Sequence, residues 1–490
     1  LPDEPRVRDA RRALADLVVG AAGVYARATA ASPVVTPGDR VELAVEAVAR
    51  ALPVTVHAIA VPGATAAAER LALAVGAKQV WKLTAAVPAA AAPSLAYWLE
   101  APPAPGHYAV RDPRQIGAPR TPAPLTADLE LELGGERVHV VVPVVYAWTD
   151  PVRGERTRPF AIVPPATATP LRDAVMAPGK PGTLAVRVRA GRDGVAGTLA
   201  LELPAGWTAT PASQPVQLAK QGDEVTLAFA VAAGRAAAAG EARPVVRVGD
   251  QAWSLREDAI DYAHIPYQLV LRPAAVRVVP LALRVPAGRV GYVRGPGDSV
   301  AADLAHVGFT VDELDDEALR VGDLSRYAAI VVGIRAYNTR DAVRAGHARL
   351  MAYVERGGTV IVQYNTLGVV GPLGPYPLEL GRDRITDETA APTLLDGKDP
   401  LLTRPNPLGA DDFAGWVQER GLYFATKWDG KYRPLLRFAD PGEGPLDGAI
   451  VVARHGKGTY VYTGLALFRQ LPAGVPGAYR LLANLIAGGR

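Results

Sequence analysis

Apolar and polar positions alternate through the first half of the chain and gather into solid blocks in the last third. Val41, Leu43, Val45 and Ala47 interleave with Glu42, Ala44 and Glu46, the two-residue period of a half-buried strand. Residues 129–142, LELELGGERVHVVV, place alternating stretches on either side of Gly134-Gly135, a pair that accepts the positive φ of a tight hairpin turn. Ahead of these, Val7, Ala10, Leu14, Leu17 and Val18 share one face of a helix over 5–19. The pattern predicts an N-terminal helix or linker over 1–19 and an antiparallel β-sandwich over 20–158. Proline-rich stretches at 101–124 and 164–181 read as loops or linkers.

Further on, 183–189 alternates strictly, and so do Leu199, Leu201 and Leu203, then Val225, Leu227, Phe229 and Val231. Short strands with turn signals about every ten residues predict a second sandwich over 159–280, immunoglobulin-like in kind, as the first is taken to be. Near Val285 the pattern changes. Arg289–Val293 reads as a strand, RGPGDS at 294–299 as a turn, 300–307 as a helix and 309–314 as a strand. Residues 328–334 form a continuous apolar run, the mark of a strand buried on both faces. Val343, His347, Leu350, Met351 and Val354 then recur at helical spacing, Gly357-Gly358 ends that helix, and 359–362 is a second buried strand. Such a unit closes as a right-handed crossover in a parallel sheet. The reading is an α/β domain over 281–490, with a long insertion at 366–447 before strands at 449–453 and 459–463 and a closing helix at 475–486.

A length of 490 residues fits about three domains of roughly 150 residues each. The 53 basic residues nearly balance the 49 acidic ones, so nothing points to a nucleic-acid partner. The chain has no cysteine, which excludes disulfides, thiolate-bound zinc, iron–sulfur clusters and a cysteine nucleophile. No apolar run approaches the roughly 18 residues that span a bilayer. The chain opens on Leu1-Pro2 with neither an initiator methionine nor a signal pattern, and reads as processed or partial.

The polar residues of the α/β region cluster just after its two buried strands: Arg335, Tyr337 and Asn338, then Gln363, Tyr364 and Asn365. Open α/β sheets bind ligands at that edge. The expectation is a crevice lined by Arg335, Tyr337, Asn338, Gln363 and Asn365, covered by the insertion through Arg382, Asp383, Trp416 and Glu419. Arginine offers a planar donor fork for a carboxylate or vicinal hydroxyls, and amides supply both donors and acceptors. The alternative is an Arg335–Asp383 ion pair that pins the insertion to the sheet. Aromatic Trp416, Tyr423, Phe424 and Trp428 suit stacking on sugars or packing of a long loop. The carboxylates of GRDRITDET at 381–389 suit acid–base work, calcium binding or salt bridges that order a loop. RGPGDS lacks both the G-x-G-x-x-G spacing and the Walker lysine, so a tight turn is expected there. The seven histidines are scattered and G-x-S-x-G is absent. No catalytic residue, metal or cofactor is assigned from the residues, although Asp383, Glu388 or Glu419 would carry an activity if the domain had one.

GIRAYNTR, GGTVIVQYNT, GPYPLELGRDRITDE, FAGWVQERGLYF and LPAGVPGAYRLLANLI, with YWLE at 97–100 and VVYAWTDPVRGE near 145–155, together resemble the C-terminal region of large bacterial PIG-L (LmbE-like) deacetylases. That family carries its zinc-dependent N-deacetylase domain N-terminally, with a His-Pro-Asp-Asp signature absent here, so none of its catalytic or metal residues transfers to this chain. PAGWTATP at 204–211 resembles immunoglobulin-like domains of the NPCBM-associated type. The last third resembles ThuA-like and class I glutamine amidotransferase-like domains, which implies a flavodoxin-like fold; the active amidotransferases use a cysteine that is missing here. The resemblance implies an accessory, glycan-associated portion of an exported protein, located in the periplasm, at the cell surface or outside the cell. Its expected partners are a glycan or other small polar ligand, an N-terminal deacetylase domain, or a second copy in a homo-oligomer. A self-assembling surface fragment is the rival reading, and a hydrolase or isomerase activity of the α/β domain the other.

Overall fold

The computed structural model describes residues 4–65, 70–104 and 106–489. Residues 1–3 of the expected N-terminal segment and residue 105 of the proline-rich stretch lie outside the described residues. The helix Pro5–Ala21 leads into a single eight-stranded sheet. The long strand Glu136–Asp150 organises that sheet. Its first part pairs antiparallel with Thr126–Leu133, while its residues 144–146 pair parallel with residues 28–30 of the strand Val24–Ala30. One strand therefore belongs to both halves, and the sheet curls until Leu43, Val45, Val56, Leu129 and Leu131 fill one core.

In the next unit two sheets face each other. A four-stranded sheet orders Ala166–Pro170, Gly182–Ala190, Glu224–Ala233 and Trp207–Thr210. Opposite it lies a six-stranded sheet built around Val276–Pro280, Gly240–Val248 and Val195–Glu202. Leu184, Val186, Val188, Leu199, Phe229 and Val246 fill the space between, as the alternation of these strands dictates.

The last unit holds a seven-stranded mixed sheet. Its order is Thr310–Glu313, Arg289–Val293, Tyr327–Val332, Thr359–Gln363, Gly458–Thr463, Ile450–His455 and Tyr432–Pro434. The first five strands are parallel and the last two antiparallel to their neighbours. YAAIVV, TVIVQ and GTYVYT are apolar because both faces are covered. On one side the helix Pro476–Ala487 packs Leu481, Leu482 and Leu485 into a core with Val331 and Ile361. On the other, His347–Glu355 brings Leu350 and Val354 against Val332 and Val360.

The expected architecture, two immunoglobulin-like sandwiches ahead of a flavodoxin-like α/β domain, does not hold. The chain is mostly β, 41% strand against 17% helix, spread over many sheets. The first unit is one curled, nearly barrel-like sheet, because Glu136–Asp150 outruns its hairpin partner and continues into the other half. The last unit is not an open, all-parallel layer. Two antiparallel strands close one edge, and the insertion adds three small ladders: Leu378–Leu380 with Ala425–Trp428, Arg384–Ile385 with Gly421–Leu422, and Thr393–Leu394 with Leu436–Arg437. Strands of two to four residues are too short to show a period in the sequence.

Candidate functional site

The strands Tyr327–Val332, Thr359–Gln363 and Gly458–Thr463 run parallel and end at one edge of the sheet. Beyond the first, the chain turns sharply at Arg335, whose φ is 55°. The Arg335 N–H donates to Tyr364 O at 2.8 Å, and its carbonyl accepts from the N–H groups of Asn338 (3.0 Å) and Thr339 (3.1 Å). This backbone is wedged in place by the RGPGDS turn: a Cβ on Gly295 would stand 1.9 Å from Ile334 O, so only glycine fits. In the same turn Asp298 accepts from the Tyr292 hydroxyl at 2.7 Å, and burial pushes its carboxyl above the usual range. RGPGDS is thus a close-packed turn.

The structure divides the residues expected in the crevice. Tyr337 is fully buried with its hydroxyl 2.9 Å from His347 Nδ1, and burial pushes that hydroxyl well up. Asn365, also buried, accepts from Tyr337 N (3.1 Å) and donates to Gln363 O (3.0 Å). Asn338 clamps Thr366 through both ends of its amide, at 3.1 and 2.8 Å. Gln363 lies in the core, donating to the Tyr292 hydroxyl at 3.3 Å, with its Oε1 unpartnered. These four build the edge from beneath. Trp416 is no lid: it is buried, donates to Asp412 O at 3.0 Å and stacks on Phe413. Arg335 and Arg382 stand exposed, and among the described residues neither makes an ion pair, with Asp383 or any other group.

An open cleft of about 540 Å³ lies above this edge, lined by Thr366, Leu367, Arg382, Arg384, Leu422 and Tyr423. Its far wall is the short ladder in which Arg384 faces Leu422 and Ile385 faces Gly421. That ladder is bolted to the sheet edge where Leu422 N donates to Gly464 O at 2.9 Å. Tyr423 follows at φ 52°, its carbonyl held by the Tyr462 hydroxyl at 2.6 Å. The Tyr423 ring stacks on Tyr364, centroids 5.9 Å apart and planes 10° from parallel. Gln418, at φ 66°, donates its N–H to Glu388 at 2.5 Å. Arg335, Gln418 and Tyr423 are the only non-glycine residues with positive φ among the described residues, and all three belong to this edge. Each conformation costs roughly 1–3 kcal/mol, and such strain gathers where function fixes a geometry.

The charge balance of the cleft is positive. Glu419 lies between Arg384, at 3.9 Å, and Arg469, at 3.3 Å. The Arg469 guanidinium stacks over Phe468, and it meets Glu419 through Nε, outside hydrogen-bond geometry. Burial pushes the Tyr364 hydroxyl up, while Arg335 and Arg469 pull it back. Sequence reasoning missed Arg384, Arg469, Tyr423 and Leu422 as members of the site. Arg384 was legible as the second arginine of GRDRITDET, and Tyr423 as an aromatic of the insertion; Arg469 left no signal in the sequence. Among the described residues no group of three or more His, Asp or Glu is placed to hold a metal ion, and no helix is long and apolar enough to cross a membrane.

No family profile and no curated protein matches the chain. Among solved structures, a β-galactosidase from Rahnella sp. R3 overlaps 41% of this chain and 31% of its own at 19% identity and a TM-score of 0.27. An exo-β-1,4-mannosidase from Opitutaceae bacterium strain TAV5 overlaps 42% of this chain and 36% of its own at 14% identity and 0.25. A cytoplasmic protein of Salmonella typhimurium LT2 overlaps 48% of this chain and 95% of its own at 13% identity and 0.28. The chain thus spans about a third of the length of the two glycosidases, and TM-scores this low fix neither fold nor activity.

Proposed function

We propose that this chain is an accessory, glycan-binding portion of a larger exported protein, and that the cleft above the sheet edge is where the glycan sits. The observation that carries the reading is an aromatic face, Tyr423, beside the unpaired guanidinium of Arg382 in one open cleft, at the edge that also carries Arg335. Tyr423 lines the cleft, its ring backed by the buried Tyr364, and the exposed Arg335 and Arg382 bring donors that pair with no acidic side chain among the described residues. Sugars are held in this way, by ring faces and by forked donors to hydroxyls. The volume falls in the roughly 300–1,000 Å³ range of small-ligand clefts.

Binding without chemistry accounts for the carboxylates better than a hydrolase does. Glu388 is occupied by the Gln418 N–H, and Glu419 by two arginines, which leaves no second free carboxylate for acid–base work. The resemblance to the C-terminal region of PIG-L-type N-deacetylases is the ground for placing this portion beside a deacetylase domain and outside the cytoplasm. Isothermal titration of the full chain against a panel of neutral and acidic oligosaccharides tests the reading. Binding to at least one glycan is expected, weakened about five-fold or more by Tyr423→Ala, taking a stacking contact at the roughly 1–3 kcal/mol of a base on an aromatic ring. Failure of every glycan to bind, or binding indifferent to Tyr423→Ala in a folded variant, would overturn it.

A further inference from the structure

The cleft is more cationic than a neutral sugar requires. Arg382 and Arg384 line the cleft with Tyr423, and Arg335 and Arg469 lie near enough to Tyr364 to act on its hydroxyl; against these four arginines stand Glu419 and Asp383. Glu419 is shared between Arg384 and Arg469, with a separation of 3.9 Å to one and 3.3 Å to the other. It cannot satisfy both forks: Arg469 faces it through Nε, at 3.3 Å and outside hydrogen-bond geometry. Arg335 and Arg382 have no ion pair among the described residues. Asp383 does not quench either of them: its backbone carbonyl accepts from Phe424 N at 3.2 Å, and its side chain forms no ion pair among the described residues. The surplus of donors over acceptors is therefore about two guanidinium groups at one cleft.

The strained backbone points the same way. Arg335 takes a left-handed conformation although it is neither glycine nor asparagine, and the turn is held by the Tyr364 carbonyl and by the Gly295 packing described above. Extended backbone would carry the Arg335 side chain elsewhere. An exposed arginine fixed by strain beside an aromatic pair, with no partner of its own, is a group awaiting an anion.

Resting on the glycan reading, we propose that the ligand is an acidic sugar: a uronic-acid-containing oligosaccharide whose ring stacks on the Tyr423 face and whose carboxylate is received by Arg335 and Arg382. A carboxylate matches the planar fork of arginine bidentately, and a pyranose ring matches the flat face of Tyr423. Arg384 and Arg469, already turned toward Glu419, frame the site and keep that glutamate from competing.

The test is titration of the full chain with trimers of galacturonate, glucuronate and mannuronate, with the methyl esters of the same trimers, with neutral N-acetylglucosamine oligomers and with inorganic phosphate. The expected result is that one acidic trimer binds at least about ten-fold more tightly than its methyl ester, the effect of losing one charge-assisted contact, and that rising salt erodes the difference. Arg335→Gln and Arg382→Gln should each bring the ratio of acid to ester affinity toward one, a ratio that a merely structural loss would not move. Both side chains are exposed, so the variants fold. Equal binding of acid, ester and neutral oligomers would overturn the acidic-sugar proposal and leave the glycan reading standing. Phosphate binding as tightly as the best trimer would overturn both, by showing an anion site indifferent to the sugar. Binding of none of the probes would overturn both as well.

Discussion

Asn365 and Arg335 sit on adjacent turns of the same edge and do opposite work. Asn365 is fully buried and gives both ends of its amide to backbone, accepting from Tyr337 N and donating to Gln363 O. Asn365→Ala leaves two buried backbone groups without partners, at roughly 1–3 kcal/mol each. A loss of about 2–5 kcal/mol in urea unfolding is expected, and a change below about 0.5 kcal/mol would show that the edge is not built on this amide. Arg335 is exposed and has no ion pair among the described residues. Arg335→Gln is therefore expected to change stability by no more than about 0.5 kcal/mol, as surface substitutions do, while removing acidic-ligand affinity. Had Arg335 been a pin on Asp383, the same substitution would have loosened the insertion. Thermal melts of the two variants side by side separate the builder of the site from its contact.

The insertion at 366–447 holds its shape through short ladders and close backbone approaches. Gly421 is the tightest point of the wall that carries Arg384 and Leu422. A Cβ there would meet Gly464 O at 2.5 Å and the Phe424 ring at 2.7 Å. Gly421→Ala forces the Arg384–Ile385 and Gly421–Leu422 ladder away from the sheet edge, an overpacking cost of about 1–3 kcal/mol. Limited proteolysis should then cut within 366–447 several-fold faster, with the 327–363 strands still protected. Unchanged cleavage would mean that the ladder tolerates the extra carbon and that the wall is less firmly seated than its hydrogen bond to Gly464 O indicates.

At the scale of the whole molecule, the second and third units share packing. Met176 and Val279, from strands of the middle unit, lie in the same core as Leu471 and Val475. His306, at the end of the helix Val300–His306, accepts from Met176 N at 3.1 Å, and Arg172 reaches Asp303 at 3.1 Å. Burial, then the Arg172 charge, lowers the His306 pKa from 6.5 to about 4. The unfolded chain therefore binds a proton between these values that the folded chain refuses. The stability held by neutral His306 is complete above about pH 6.5 and is lost as pH falls toward about 4. Burial raises the Asp303 carboxyl, which acts in the opposite sense, favouring the folded state on the acid side of its window. His306→Gln keeps an acceptor for Met176 N without a titrating group. Its melting temperature should fall less than the wild type's between pH 7 and pH 5, and identical slopes would place the acid sensitivity elsewhere.

Where one period governs a long stretch, the sequence by itself determined the element. The strands at 289–293, 327–332, 359–363 and 458–463, the helix from 476 and the edge where Arg335 and Asn365 meet are all legible as apolar blocks and the polar residues that follow them. The amides at that edge were legible as polar but not as structural, because nothing in a sequence says whether an asparagine faces a ligand or a backbone N–H. The curl of the first sheet escaped the reading because Glu136–Asp150 alternates in the same way whether it ends with its hairpin partner or runs on to a second one. A crevice was expected at the Arg335 edge, but the wall and the charge of the cleft escaped the reading. Its wall is a two-residue ladder joining 384–385 to 421–422, and its charge depends on Arg469 reaching Glu419 across some fifty residues. Local periodicity follows from which residues sit next to each other in the chain, whereas which guanidinium groups find carboxylates, and which are left without one, follows only from how distant segments meet.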